Sequence, residues 1–196
     1  MCVCVFWGFS KTERFIEFQA AWYGDPVFFG HYPESMVQAV GSRLPQFTQA
    51  ESARLRGSWD FYGLNHYTTK YAENRPLAGI SNGWGDDQET TMSPYDLNGN
   101  LIGPQAESPW LNVVPQGMYG ILLWLKKRYN SPPILITENG VSCPGESSLT
   151  IQEVSFLFYS QYAIVLVVCV VVCVAQISLS LITCPCLVVF TSIGSS

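Results

Sequence analysis

Apolar residues recur at helical spacing in several stretches of this chain. Over Glu13 to Tyr23, the residues Phe15, Phe18, Ala21 and Trp22 fall on one face, which predicts a helix. Asp25-Pro26 and Gly30 should break it, and Pro33 should open another short one. Thr48-Gln49-Ala50-Glu51 has the spacing of a capping box, in which a hydroxyl and a carboxylate satisfy each other's free backbone donors. The helix it opens should end near Gly57. Pro115 to Tyr129 is the strongest helical pattern, with Pro115 near its start and Met118, Ile121, Leu122 and Leu125 as its stripe. Lys126, Lys127 and Arg128 in the last turn complement the helix dipole, and Asn130-Ser131-Pro132-Pro133 ends it.

Strand patterns are fewer. "SWDFYGLNHYTTKY" is rich in aromatics and predicts a strand with Phe61 and Leu64 buried, and Gly63 admitting another backbone closely. Ile134 to Thr137 is a short apolar strand of the kind buried on both faces of a parallel sheet. Between the two, Ala72 to Asn112 is dense in Gly, Pro, Asn, Asp and Ser without periodicity. A loop of that length either serves function or contains elements that the pattern does not reveal. Helix, short turn and buried strand followed by Glu138 form an α/β unit whose site lies at the top of the sheet. Glu138 should then stand at the rim, facing a cavity.

Charge divides the chain. Charged residues make up 13%, about half the usual share, and the deficit is local, because no Asp, Glu, Lys, Arg or His follows Glu153. Three regions follow: an unpatterned segment 1–12, a soluble domain segment 13–148, and an apolar tail 149–196. The stretch from Tyr162 to Ile182 has about the ~20 residues that cross a bilayer, so the tail is a membrane-span candidate, although no Lys or Arg flanks it. Met1 to Ser10 lacks the basic start and small-residue cleavage site of a signal peptide. A net charge of -5 with no basic cluster beyond Lys126-Lys127-Arg128 excludes a nucleic-acid footprint. Of seven cysteines only Cys143 lies in the soluble segment, so no disulfide framework is implied. The tail cysteines have no accompanying His, which argues against zinc.

Read by pattern alone, Glu138-Asn139-Gly140 is a polar turn after a strand, Tyr67 a core aromatic, Asn65 a turn or cap residue and His31 a turn residue. Five ordered blocks change that reading: "FQAAWYGDPVFFGHYPESM", "GSRLPQFT", "GSWDFYGLNHYTT", "GPQAESPWLNVVPQGMYGIL" and "PPILITENGV". In these the chain resembles glycoside hydrolase family 1, the retaining β-glucosidases and their relatives. The resemblance implies an α/β fold, a fragment of a (β/α)8 TIM barrel spanning about strands 5–7 with their helices. "DFYGLNHY" would be the sixth strand and "ILITENG" the seventh.

By the same resemblance Glu138 aligns with the catalytic nucleophile, Tyr67 with the tyrosine that hydrogen-bonds it, and Asn65 with a site-lining asparagine. Alternation puts Asn65 and Tyr67 on one strand face and His66 on the other. Of Trp59, Trp84, Trp110 and Trp124, Trp84 in the loop is the one considered for aglycone contact. The family uses no metal or organic cofactor and acts on β-glucosides and related glycosides. Its acid/base glutamate lies in an Asn-Glu-Pro motif, and no Asn-Glu-Pro occurs here. The expectation is therefore a β-glucosidase-type chain present as a fragment and inactive alone. The alternative is a non-catalytic membrane-anchored or interaction protein that reuses barrel pieces.

Overall fold

A computed structural model of the chain describes residues 2–3, 9–143, 145–150 and 152–153. After a two-residue strand, Cys2–Val3 (β1), one helical run contains Phe9–Ile16 (α1), a π-helical turn Glu17–Ala21, and Trp22–Phe29 (α2). The break expected at Asp25-Pro26 does not occur, and the helix continues through Pro26. The π turn just before it explains why. There the Trp22 N–H reaches back five residues to the Glu17 carbonyl, so the backbone is already widened where the proline ring would crowd the preceding turn. Gly30 ends the run at φ +83°, its N–H donating to the Asp25 and Pro26 carbonyls at 3.2 and 2.9 Å. A Cβ at Gly30 would lie 2.5 Å from Ser52 Oγ, so only glycine fits.

Pro33 precedes Glu34–Val40 (α3), and Thr48 caps Gln49–Leu55 (α4) through the capping box. Glu51 N donates to Thr48 Oγ1 at 3.2 Å, and Thr48 N donates to the Glu51 carboxylate at 2.8 Å. The aromatic segment that follows forms Tyr62–Asn65 (β2), Thr68–Thr69 (β3) and Tyr71–Asn74 (β4). The stretch without periodicity is not structureless. It holds a four-residue helix, Trp84–Asp87 (α5), and Thr90–Ser93 (β5), which pairs antiparallel with β4. Arg14 fastens this hairpin to α1 by donating to the Gln88 carbonyl at 2.7 Å and to Asn74 Oδ1 at 3.1 Å.

Pro115–Arg128 (α6) leads into Ile134–Glu138 (β6), with Asn130 and Ser131 at positive φ in the turn between them. β6 pairs parallel with β2, and β1 pairs parallel with β3. A parallel pair joined by a helical crossover is the repeating unit of an α/β barrel, so β2 and β6 are neighbouring strands of one sheet.

The core lies between this pair and the helices. Ile16, Ala20, Leu64, Met118, Ile121, Leu122, Leu125 and Tyr129 are buried together, with Tyr62, Ile134 and Ile136 packed against them. The stripe expected of α6 is therefore the stripe it buries. Two burial expectations fail on the opposite sheet face. Phe61 is 52% exposed and Leu135 is 54% exposed, because only one face of the β2–β6 pair is covered by helices of the described residues. Gly63 meets only ordinary contact, as a Cβ there would lie 3.6 Å from the Thr137 side chain.

One ion-pair network ties α6 to the first helical run. Arg128 donates to Asp25 at 2.8 and 2.5 Å and to Glu17 at 2.7 Å, and the Tyr129 hydroxyl donates to Asp25 at 2.8 Å. Burial opposes the Arg128 charge, but its bonds and charge pairing with Asp25 and Glu17 outweigh it and raise the guanidinium pKa. Burial and the Asp25 charge also push the Tyr62 phenol up to about 12. The segment expected to span a membrane, 162–182, lies outside the described residues. Among the described residues no helix is long and apolar enough to cross a bilayer.

Candidate active site

Side-chain parity along the two paired strands decides where Glu138 points. On β2, Tyr62 and Leu64 face the helices, while Gly63 and Asn65 face the open side. On β6, Ile134 and Ile136 face the helices, and strict alternation would send Glu138 the same way, into the core. It does not go there. Tyr62, Gly63 and Leu64 pair with Ile134, Leu135 and Ile136, but Asn65 pairs with Glu138, which leaves Thr137 as an extra residue in a bulge. Paired residues of parallel strands point to the same side, so the bulge turns Glu138 onto the open face beside Asn65.

The carboxylate meets a phenol there. Tyr67 Oη donates to Glu138 Oε2 at 2.8 Å. That hydrogen bond, with some burial and the neighbouring negative charge, raises the Tyr67 pKa above its ordinary value and keeps the phenol a donor. Thr137 Oγ1 donates to Asn65 Oδ1, which leaves the Asn65 amide N–H groups available toward the open side. The backbones are tied as well. His66 N–H donates to the Glu138 carbonyl at 2.9 Å, and Asn139 Nδ2 donates to the His66 carbonyl at 2.6 Å.

His66 points the other way, as alternation requires. It is 2% exposed, and its Nε2 has no hydrogen-bond partner among the described residues. Burial pushes its pKa down to about 4, so the imidazole is neutral. It lines a cavity of about 30 Å³ with Tyr67, Leu111, Val114, Met118 and Asn139.

The structure brings Glu138, Tyr67 and Asn65 to one end of the strand pair. It does not bring Trp84 to them. The ring contact of Trp84 is with Trp22, at 6.5 Å between centroids, and no hydrogen bond or ring contact among the described residues joins it to the other three. Trp110 stands beside the phenol instead. Its ring stands edge-on to Tyr67 at 5.9 Å and is half exposed. Spacing gave no reason to prefer it to Trp84; the available signal was its place in "ESPWLNVVP", directly before the helix that leads to Glu138. Trp124, half buried against the core, carries Arg128 over its ring at 5.0 Å. Among the described residues no three His, Cys, Asp or Glu side chains converge as a metal site.

Chemically, a carboxylate held by a phenol on an open face, with amide donors and an indole near the phenol, is equipped to attack an electrophilic carbon. The phenol fixes which oxygen is free to do so.

Residues 9–172 match the family described as Glycosyl hydrolase family 1. Beta-glucosidase 12 of Oryza sativa subsp. indica is 45% identical over 145 residues, covering 74% of this chain and 28% of that protein. The oleuropein beta-glucosidase of Olea europaea is 39% identical over 159 residues, covering 76% of this chain and 29% of that protein. The chain thus spans less than a third of the length of these relatives. Among solved structures, the rice Os3BGlu6 beta-glucosidase superposes with a TM-score of 0.75 at 37% identity, covering 83% of this chain and 35% of that one. A mutant of the same rice enzyme, in a covalent complex with Glc from GA4GE, superposes with a TM-score of 0.77 at 37% identity over 85% of this chain and 36% of that one.

Proposed function

The chain belongs to glycosyl hydrolase family 1, and on that premise we propose that it carries the nucleophile side of a retaining β-glucosidase site. The observation that carries the reading is the Tyr67–Glu138 pair at 2.8 Å on the open face of two adjacent parallel strands. Glu138 attacks the anomeric carbon of a β-glucoside, and the bond to the aglycone oxygen breaks as a glycosyl–carboxylate ester forms. Water then hydrolyses the ester and returns the free carboxylate. Tyr67 holds one carboxylate oxygen and leaves the other for the attack. Asn65, its amide oriented by Thr137, donates to a sugar hydroxyl. Trp110 supplies an apolar wall for the aglycone.

The second carboxylate of the double displacement belongs about 5 to 5.5 Å from the nucleophile, where it protonates the leaving oxygen and later activates water. No Asn-Glu-Pro motif occurs in this sequence to supply it. Loss of general acid catalysis costs roughly 10²- to 10⁴-fold in rate. The chain by itself therefore turns over no unactivated glycoside. The solved covalent Glc complex of a rice mutant at 37% identity supports the ester intermediate for this side of the site.

The test is a chimera in which residues 13–148 replace the matching segment of the rice Os3BGlu6 enzyme. It should hydrolyse nitrophenyl β-glucoside, and Glu138→Gln within it should abolish turnover. A fully active Glu138→Gln chimera would exclude the assignment.

A further inference from the structure

Two hydrogen bonds continue the β2–β6 pairing beyond the bulge, and only one of them belongs to the regular ladder. The His66 N–H to Glu138 carbonyl bond, at 2.9 Å, is backbone to backbone. The next link is made by a side chain, with Asn139 Nδ2 donating to the His66 carbonyl at 2.6 Å. The bulge shifts the pairing of β6 by one residue, and past it the link to this carbonyl comes from the Asn139 side chain rather than from the backbone. An amide side chain of the length of asparagine closes the gap.

The closure matters because His66 lies directly between Asn65 and Tyr67. Its backbone is the hinge about which the Tyr67 ring is placed. With its N–H tied to Glu138 and its carbonyl to Asn139, His66 has both of its flanking peptide groups fixed relative to the end of β6. The phenol oxygen then falls 2.8 Å from Glu138 Oε2. Without the second tie, the His66 carbonyl loses its bond to β6, and the Tyr67 side chain keeps its own bond to the carboxylate and its edge contact with Trp110.

From this geometry we infer that Asn139 is a positioning residue: its side-chain amide clamps the end of β2 to the end of β6 and sets the Glu138 carboxylate against the Tyr67 phenol. The inference deepens the proposed function, because the clamped carboxylate is the proposed nucleophile. Asn139 touches no reacting atom itself and acts through His66 and Tyr67.

The test is carried out on the full chain and needs no turnover. Tyrosine is labelled with ¹³C at the ring Cζ, the Tyr67 resonance is assigned by its loss in Tyr67→Phe, and its titration is followed by NMR. In the unmodified chain the Tyr67 midpoint lies above the ordinary value of about 10. Glu138→Gln, which removes the acceptor charge, defines the uncoupled midpoint. Asn139→Ala should move the midpoint toward that reference by at least half the difference. Ile136→Val, a core change in the same strand, should lower the melting temperature and leave the Tyr67 midpoint in place, which separates positioning from general loosening.

Should Asn139→Ala fail to fold, Asn139→Leu keeps nearly the size of the side chain, has no proton to donate to the His66 carbonyl and adds no charge near the phenol. It should move the midpoint in the same direction. A wild-type midpoint in both Asn139 variants, with Glu138→Gln shifted, overturns the clamp and leaves the proposed nucleophile standing. A midpoint unmoved by Glu138→Gln removes the Tyr67–Glu138 pair itself and overturns both.

Discussion

The neutral, buried His66 makes the end of β2 acid-sensitive, and the size of the effect follows from its surroundings. An unfolded chain protonates this imidazole near the ordinary value of 6.5, whereas the folded chain resists until about 4. The folded-state value is depressed, so its contribution is complete above about pH 6.5 and is lost as pH falls toward 4, where both states are protonated. At about 1.4 kcal/mol per pH unit, the whole interval corresponds to about 3 kcal/mol, of which about 2.5 kcal/mol is gone by about pH 4.5. Such a loss is a large fraction of a typical folding free energy of roughly 5 to 15 kcal/mol. His66→Phe keeps a ring in the site, extends toward the neighbouring cavity of about 30 Å³, and removes the unpartnered Nε2. Urea unfolding followed by tryptophan fluorescence would be run on both chains at about pH 7 and about pH 4.5. Carboxylate titrations common to both cancel in the comparison. The stability drop between the two conditions should be smaller in His66→Phe by about 2 to 3 kcal/mol. Equal drops in the two chains would refute the argument that this imidazole is buried and neutral.

Three further outcomes follow from the same geometry. In the rice chimera, Tyr67→Phe removes a hydrogen bond to a charged group, worth about 1.5 to 3 kcal/mol, and should lower kcat/KM roughly 10- to 150-fold, as steady-state kinetics would show. Arg128→Met leaves Asp25 buried with the Tyr129 hydroxyl but without its countercharge and should destabilise the chain by about 3 to 5 kcal/mol in urea titration, with Asp25→Asn/Arg128→Met recovering part of the loss. Trp110→Ala in the chimera should raise KM for aryl glucosides several-fold, whereas Trp84→Ala, whose ring contact is Trp22, should leave both kinetic constants unchanged.

What the sequence conveyed was local. The Thr48–Glu51 capping box depends on four consecutive residues, and α6 depends on its own stripe, so both were legible without knowledge of the rest of the chain. The α/β pattern placed Glu138 at the rim of the sheet, but its role and the candidates Tyr67 and Asn65 came through resemblance, because nothing in a single strand's pattern says which strand lies beside it. Burial of Phe61 and Leu135 was misread because it depends on what covers the second sheet face, a tertiary property. The continuation through Pro26 depended on a π turn that has no sequence marker of its own. Parity held one unread signal. Ile134 and Ile136 share the parity of Glu138, and a carboxylate cannot follow two core isoleucines inward, so a bulge was required before it. Trp84 and Trp110 both lie in irregular segments where only the fold determines what they meet, which is Trp22 for the one and Tyr67 for the other.

Covalent capture tests the central claim most directly. A 2-fluoro glucoside with a dinitrophenolate leaving group needs no proton donor for departure and forms a long-lived ester with a retaining nucleophile. Incubated with the rice chimera carrying residues 13–148, digested and mapped by mass spectrometry, it should leave one fluoroglucosyl adduct on the peptide containing Glu138. Glu138→Gln should leave none. An adduct that persists in Glu138→Gln, or that maps to a different carboxylate, would contradict the account.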